Sequence, residues 1–184
     1  MILYRCFACN ERAQPTEPDG AVWFPRVFQG EGRHDNPDVY GCLYLAERAV
    51  SPVVEQLARF RGQRLGPAML RRRGLPLALA ELALDADAEL IDLDDPVVLD
   101  AERLLPSHVA TRRRDMTQPQ ARLLYERHAR AVGLRWWSSY EALWINVTLF
   151  DRGAGRLRVR SVRSLAIDDP AVIEAAQIFG FQVR

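Results

Sequence analysis

The sequence predicts a mixed α+β fold in one domain spanning residues 1–184. Runs of period-two alternation, as in Leu157–Leu165, mark strands. Runs with apolar residues three and four apart, opened by Ser-Pro or Asp-Pro, mark helices. The two kinds interleave along the chain without an internal repeat or a low-complexity tract. At 184 residues the chain fits one domain, and folding at this size buries roughly 70% of the unfolded surface. With 48% apolar and 27% charged residues it has the makings of a core without disulfides or metals.

Met1–Cys9 is apolar and reads as an opening strand. Residues 10–38, rich in Pro, Gly, Asp and Asn, read as a long ordered loop. Its aromatic islands, around Trp23 and Phe28, favour a functional loop over a disordered one. Tyr40–Ala46 is a short strand. Ser51-Pro52 fits an N-cap with proline at N1, opening a helix to about Arg59 with Glu55 in its first turn, off the apolar stripe. A Gly/Pro/Arg connector covers 62–74. Leu75–Leu84 suits either a helix or a buried strand. Glu89–Leu93 is a strand, Asp95-Pro96 opens a short helix, and Gln118–Val132 is a helix. Gly133–Ser139 reads as turn, strand and turn. Trp144–Asp151 and Leu157–Leu165 are strands, and Asp169-Pro170 opens a last helix to about Phe179.

Composition narrows the function. Net charge is +1, from 25 cationic residues that are all arginine and 24 acidic ones, so no basic excess points to direct nucleic-acid binding. Cys6, Cys9 and Cys42 are too few, and odd in number, for a disulfide framework. Cys6 and Cys9 form a Cys-x-x-Cys that lacks the second pair of a structural zinc site, so buried thiols are expected. No metal is expected, because His34, His108 and His128 have no Cys or His at ligand spacing. No apolar stretch approaches the ~20 residues of a membrane span, and no signal-peptide core follows Met1, so the expectation is cytoplasmic. The phosphate-binding, dinucleotide, nucleophile-elbow and zinc-protease signatures are missing. The triplets Arg71–Arg73 and Arg112–Arg114 read as solvated connector charge. The Arg156, Arg158, Arg160, Arg163 face suits an acidic partner segment, nucleic acid, or protection of an edge strand.

What remains is an ordered set of polar residues beside apolar segments. Gly30-Glu31-Gly32-Arg33 sets an arginine in a glycine-flanked loop. Tyr44 follows eleven residues later, Glu55 eleven after that, and Ser138 sits in Trp136-Trp137-Ser138-Ser139. With Tyr4-Arg5, Leu43-Tyr44-Leu45-Ala46, Leu90-Ile91-Asp92-Leu93, Thr117-Gln118 and Asn146–Asp151 in this order, most of the chain resembles the RES domain family. The resemblance implies mainly antiparallel mixed sheets with flanking helices, similar to ADP-ribosyltransferases. It also implies a toxin of a bacterial toxin–antitoxin pair that cleaves the nicotinamide–ribose bond of NAD+ by hydrolysis or phosphorolysis. Some relatives instead transfer ADP-ribose to a protein. The implied partner is a separate Xre-type antitoxin carrying a helix-turn-helix, which this chain lacks, so nucleic acid is reached only through that partner. A homodimer is a further expectation of the resemblance.

The residue types suit that chemistry. Cleavage passes through an oxocarbenium-like ribose, which a carboxylate stabilises, and Glu55 is the candidate. Arg33, and Arg5 from the opening strand, are candidates to clamp pyrophosphate or ribose through paired hydrogen bonds. Tyr44 suits the nicotinamide end through its ring or hydroxyl. Ser138 suits orientation of the nicotinamide amide or of Glu55, with Ser139 as the competing assignment. The plain alternatives are a solvated helix glutamate, surface arginines, a core tyrosine and a turn serine. A non-catalytic binding module of the same fold is the rival function.

Overall fold

The computed structural model describes residues 1–109 and 111–181. In chain order the elements are β1 (Ile2–Ala8), β2 (Cys42–Ala46), α1 (Val50–Leu57), β3 (Arg71–Arg72), β4 (Leu75–Leu84), β5 (Leu90–Asp92), α2 (Pro96–Ala101), α3 (Pro106–Val109), α4 (Arg114–Arg127), β6 (Gly133–Trp137), β7 (Ile145–Phe150), β8 (Leu157–Ser164) and α5 (Pro170–Phe179). The expected α+β class, with mostly antiparallel strands, is what forms. The chain divides into two compact units. One comprises Met1, Phe24–Leu45 and Leu84–Leu157; the other comprises Ile2–Trp23, Ala46–Ala83 and the chain from Arg158 onward.

In the first unit the strand order is β2-β7-β6-β5. β6 and β7 are antiparallel, from Gly133↔Leu149 to Trp137↔Ile145, and β5 and β6 are parallel. A parallel pair needs a crossover, and α2, α3 and α4 supply it. Asp95 caps α2 by accepting from the Val97 N–H, with Pro96 at the first turn, as its sequence suggests. α4 begins at Arg114, four residues earlier than expected, and encloses Pro119. Its buried face is Thr117, Ala121 and Leu124, at spacings of four and three. Ala121 and Leu124 pack into a core with Tyr40, Leu134, Trp136 and Phe150. β7 alternates apolar and polar residues, yet Asn146 and Thr148 are as buried as Val147 and Leu149. Buried polar side chains require partners, and at Thr148 those partners define the site below.

In the second unit β1 pairs antiparallel with β4 through seven registers, Ile2↔Ala83 to Ala8↔Leu77, and Tyr4 pairs with Ala46. Leu75–Leu84 is thus a strand. Its Ala and Leu residues favour a helix locally, but Leu77 to Ala80 are all buried, so both faces of the strand are covered. β3 and β4 close through Arg73-Gly74, both at positive φ, the geometry of a two-residue hairpin turn. The Leu165 N–H bonds the Leu77 carbonyl beside β8. α1 packs on β1 and α5. It starts at Val50, before Ser51, and Ala49 provides no side-chain cap, so Ser51 is a buried helix residue rather than the N-cap. Glu55 therefore lies in the second turn, on the exposed side. Asp169 caps α5 through the Ala171 N–H and also takes both Arg163 nitrogens, and Gly180 closes the helix at φ +66.

Candidate functional site

The polar centre of the first unit is the loop Gly30–Tyr40. The Asp35 carboxylate is buried and accepts four donors: the Gly30 N–H (2.8 Å), the Gly32 N–H (2.6 Å), the Tyr44 hydroxyl (2.7 Å) and the Cys42 thiol (3.3 Å). Gly32 is needed for close approach, because a Cβ there would stand 2.5 Å from both Asp35 Oδ1 and the Tyr44 hydroxyl oxygen. That hydroxyl also accepts the His34 N–H at 2.9 Å. Burial above all, then the neighbouring Cys42 and Asp35, push the Tyr44 phenol well above its ordinary range, so it stays protonated.

His34 extends the network into the sheet. Its Nδ1 lies 2.8 Å from Thr148 Oγ1, which also accepts the Trp136 indole N–H at 3.0 Å. Desolvation first, then Arg33 and Arg114, hold the imidazole well below its usual pKa, so it is neutral. A neutral ring lets the Thr148 hydroxyl give its own hydrogen to Nδ1, which satisfies both groups. The His34 ring lies edge-on to Trp136 with centroids 5.1 Å apart.

Arg33 is buried, its guanidinium 4.8 Å from the Trp136 ring centroid, and Nη1 donates to the Val109 carbonyl at 2.9 Å and to that of Thr111. α4 grips the same loop. The Thr117 hydroxyl donates to the Arg33 carbonyl, and the Gln118 amide donates to the Gly30 and Gly32 carbonyls. Asn36 donates to the Gln118 carbonyl and the Tyr40 hydroxyl. A loop whose backbone carbonyls and amides are bonded this fully is held rigidly, which is what a binding site requires.

The first unit thus brings Arg33 and Tyr44 to one network. Ser138 belongs to the same unit at the end of β6, on the face of that strand that carries Trp136. It is buried; its N–H bonds the Trp144 carbonyl, and its hydroxyl accepts the Tyr140 N–H at 3.1 Å, leaving the hydroxyl hydrogen to donate. Arg5 and Glu55 belong to the second unit. Arg5 is buried, stands over Phe7, and donates through Nη1 to the Gly20 (3.2 Å) and Ala21 (2.6 Å) carbonyls. Burial lowers its pKa to about 10, and it remains a cation. Glu55 is an exposed residue of α1.

The sequence did not single out His34, Asp35 and Thr148, nor join Thr117-Gln118 to them in one network. Their signal is the polar run Arg33–Asn36 and the polar positions of β7; the contact joining His34 to Thr148 spans 114 residues. All three cysteines are free and buried, as expected, and burial pushes the Cys6 thiol to about 12. Among the described residues no group of three or more His, Cys, Asp or Glu is placed to hold a metal. No helix among them is long and apolar enough to cross a membrane.

The sequence profile of the RES domain matches residues 2–169. The chain belongs to the RES domain family. The RES match takes in both units and every residue of the network above. Among solved structures, this RES chain resembles one from the M. tuberculosis MbcT–MbcA toxin–antitoxin complex, with a TM-score of 0.65 and 18% identity over 97% of this chain and 88% of that one. At that identity the likeness is one of fold. No curated protein matches the sequence.

Proposed function

We propose that this RES protein is an NAD+-consuming toxin that cleaves the bond between nicotinamide and ribose, with water or phosphate as acceptor, and so arrests growth. The observation that carries the reading is the match to the RES domain, a family that acts on NAD+, over nearly the whole chain. The buried Arg33–His34–Asp35–Tyr44 network in the loop that carries Arg33 supports it. The C1′–N bond breaks with its electron pair leaving on nicotinamide, and the acceptor oxygen adds to C1′ and loses its proton. Glu55 stabilises the oxocarbenium-like ribose, Arg33 and Arg5 hold phosphate or ribose oxygens, Tyr44 faces the nicotinamide end, and Ser138 orients its amide. The fold likeness to a toxin from a toxin–antitoxin complex supports a separate antitoxin as the partner and a cytoplasmic site of action; its Xre type is what the family resemblance implies.

The test is chromatography of NAD+ incubated with the purified protein, with and without phosphate, scoring nicotinamide and ADP-ribose products. Nicotinamide release that Glu55→Ala lowers by a factor of 100 or more, on the order of 3 kcal/mol of transition-state stabilisation, is the expected result. Dependence on phosphate names the acceptor. Release that appears only with added cell lysate, with label retained on protein, shifts the reading to ADP-ribose transfer. No release under either condition sinks the enzymatic reading.

A further inference from the structure

We propose that a surface groove of the first unit, floored by Trp137, receives an arginine side chain from an apolar-flanked segment of another polypeptide. The groove has a volume of about 380 Å³ and is lined by Trp137, Leu99 and Leu104, with Asp94 and Asp100 among its walls. This is large enough for one long side chain together with part of its neighbours. Trp137 is half-buried at the end of β6, so an indole and two carboxylates border one space.

The ionisable residues that line the groove are both acidic, Asp94 and Asp100. Asp94 stands 3.6 Å from Arg135, whose closer partner is Asp92 at 2.9 Å. The Asp100 carboxylate is exposed and forms no hydrogen bond or ion pair among the described residues. An indole face beside carboxylates recognises a planar guanidinium, which stacks on the ring while donating paired hydrogen bonds; an ammonium does only part of this.

Exposed apolar residues adjacent in sequence to the lining favour a polypeptide over a small cation. Val97, next to Pro96 of the groove, is 75% exposed, and Leu105, between the lining residues Leu104 and Pro106, is 58% exposed. A small cation would leave these side chains in water, whereas a segment with apolar residues on either side of its arginine covers them. The occupant is not a second copy presenting the β8 arginines. Arg160 is already held by Glu81 and Arg163 by Asp169, and Arg156, just before β8, by Asp87.

The experiment titrates the full chain into a short fluorescent peptide with a central arginine flanked by leucines, and into its citrulline twin, reading anisotropy. Citrulline keeps the planar shape and loses the charge. The expected result is binding of the arginine peptide, about tenfold weaker for the citrulline twin and about fivefold weaker for Asp100→Asn. Trp137→Phe, which keeps an aromatic ring in place, lowers affinity about threefold. Circular dichroism of both variants checks that they are folded. Equal affinity for the two peptides, no binding of either, or indifference to Asp100→Asn overturns the proposal. Self-association of the free chain that Asp100→Asn abolishes also overturns it, by giving the groove to a second copy.

Discussion

His34 shows how one buried side chain ties the network to solution conditions. Its imidazole is held neutral in the folded chain, whereas in the unfolded chain it titrates near its ordinary 6.5. Below that pH the unfolded state binds the proton and the folded state does not, so folding stability is fully present above about 6.5 and declines as pH falls. The slope for one proton is at most about 1.4 kcal/mol per pH unit. Urea denaturation at several pH values between 5 and 7.5 should show this decline, and His34→Asn, which keeps an acceptor toward Thr148 without a titrating group, should flatten it. Parallel slopes for both proteins would refute the neutral-histidine account. Arg33 and Tyr44 were legible from their places in an ordered motif. His34, Asp35 and Thr148 were not, because isolated polar letters become a network only when residues over a hundred positions apart meet.

The strands and helices were legible where local chemistry and burial agree. α2 and α5 each follow an Asp-Pro that caps the helix and sets its first turn, and both start there. β8 keeps its alternation because it is mostly exposed, and its Arg160 and Arg163 have carboxylate partners. Leu75–Leu84 was ambiguous because its residues favour a helix while cover on both faces makes it a strand. α4 starts ahead of Pro119, which weakens its local signal without ending the helix. The long loop after β1 is ordered by an element-scale bond: Arg5 of β1 reaches the Gly20 and Ala21 carbonyls. Arg5→Ala leaves two buried acceptors without a charged donor and should cost about 2–4 kcal/mol. Chemical denaturation measures this directly. Loss of NAD+ cleavage at unchanged stability would leave Arg5 its proposed substrate role and remove the structural one.

For the molecule as a whole, a net charge of +1 gives no overall basic excess toward nucleic acid. The proposed reading places harm to the cell in turnover of NAD+, its rival places it in a specific binding partner, and one substitution separates the two. Glu55 is an exposed residue of α1, so Glu55→Ala should change stability by no more than about 0.5 kcal/mol and leave the folded surface nearly intact. Induced expression of the chain should arrest bacterial growth, with the cellular NAD+ pool falling before the arrest. The Glu55→Ala form at the same protein level should permit growth and spare the pool. A catalyst needs few copies, so arrest should also persist at low induction, whereas a stoichiometric binder would lose its effect as its level drops below that of its target. Arrest of equal severity by both forms, with NAD+ unchanged, would make the chain a binding module and remove Glu55 from any chemistry.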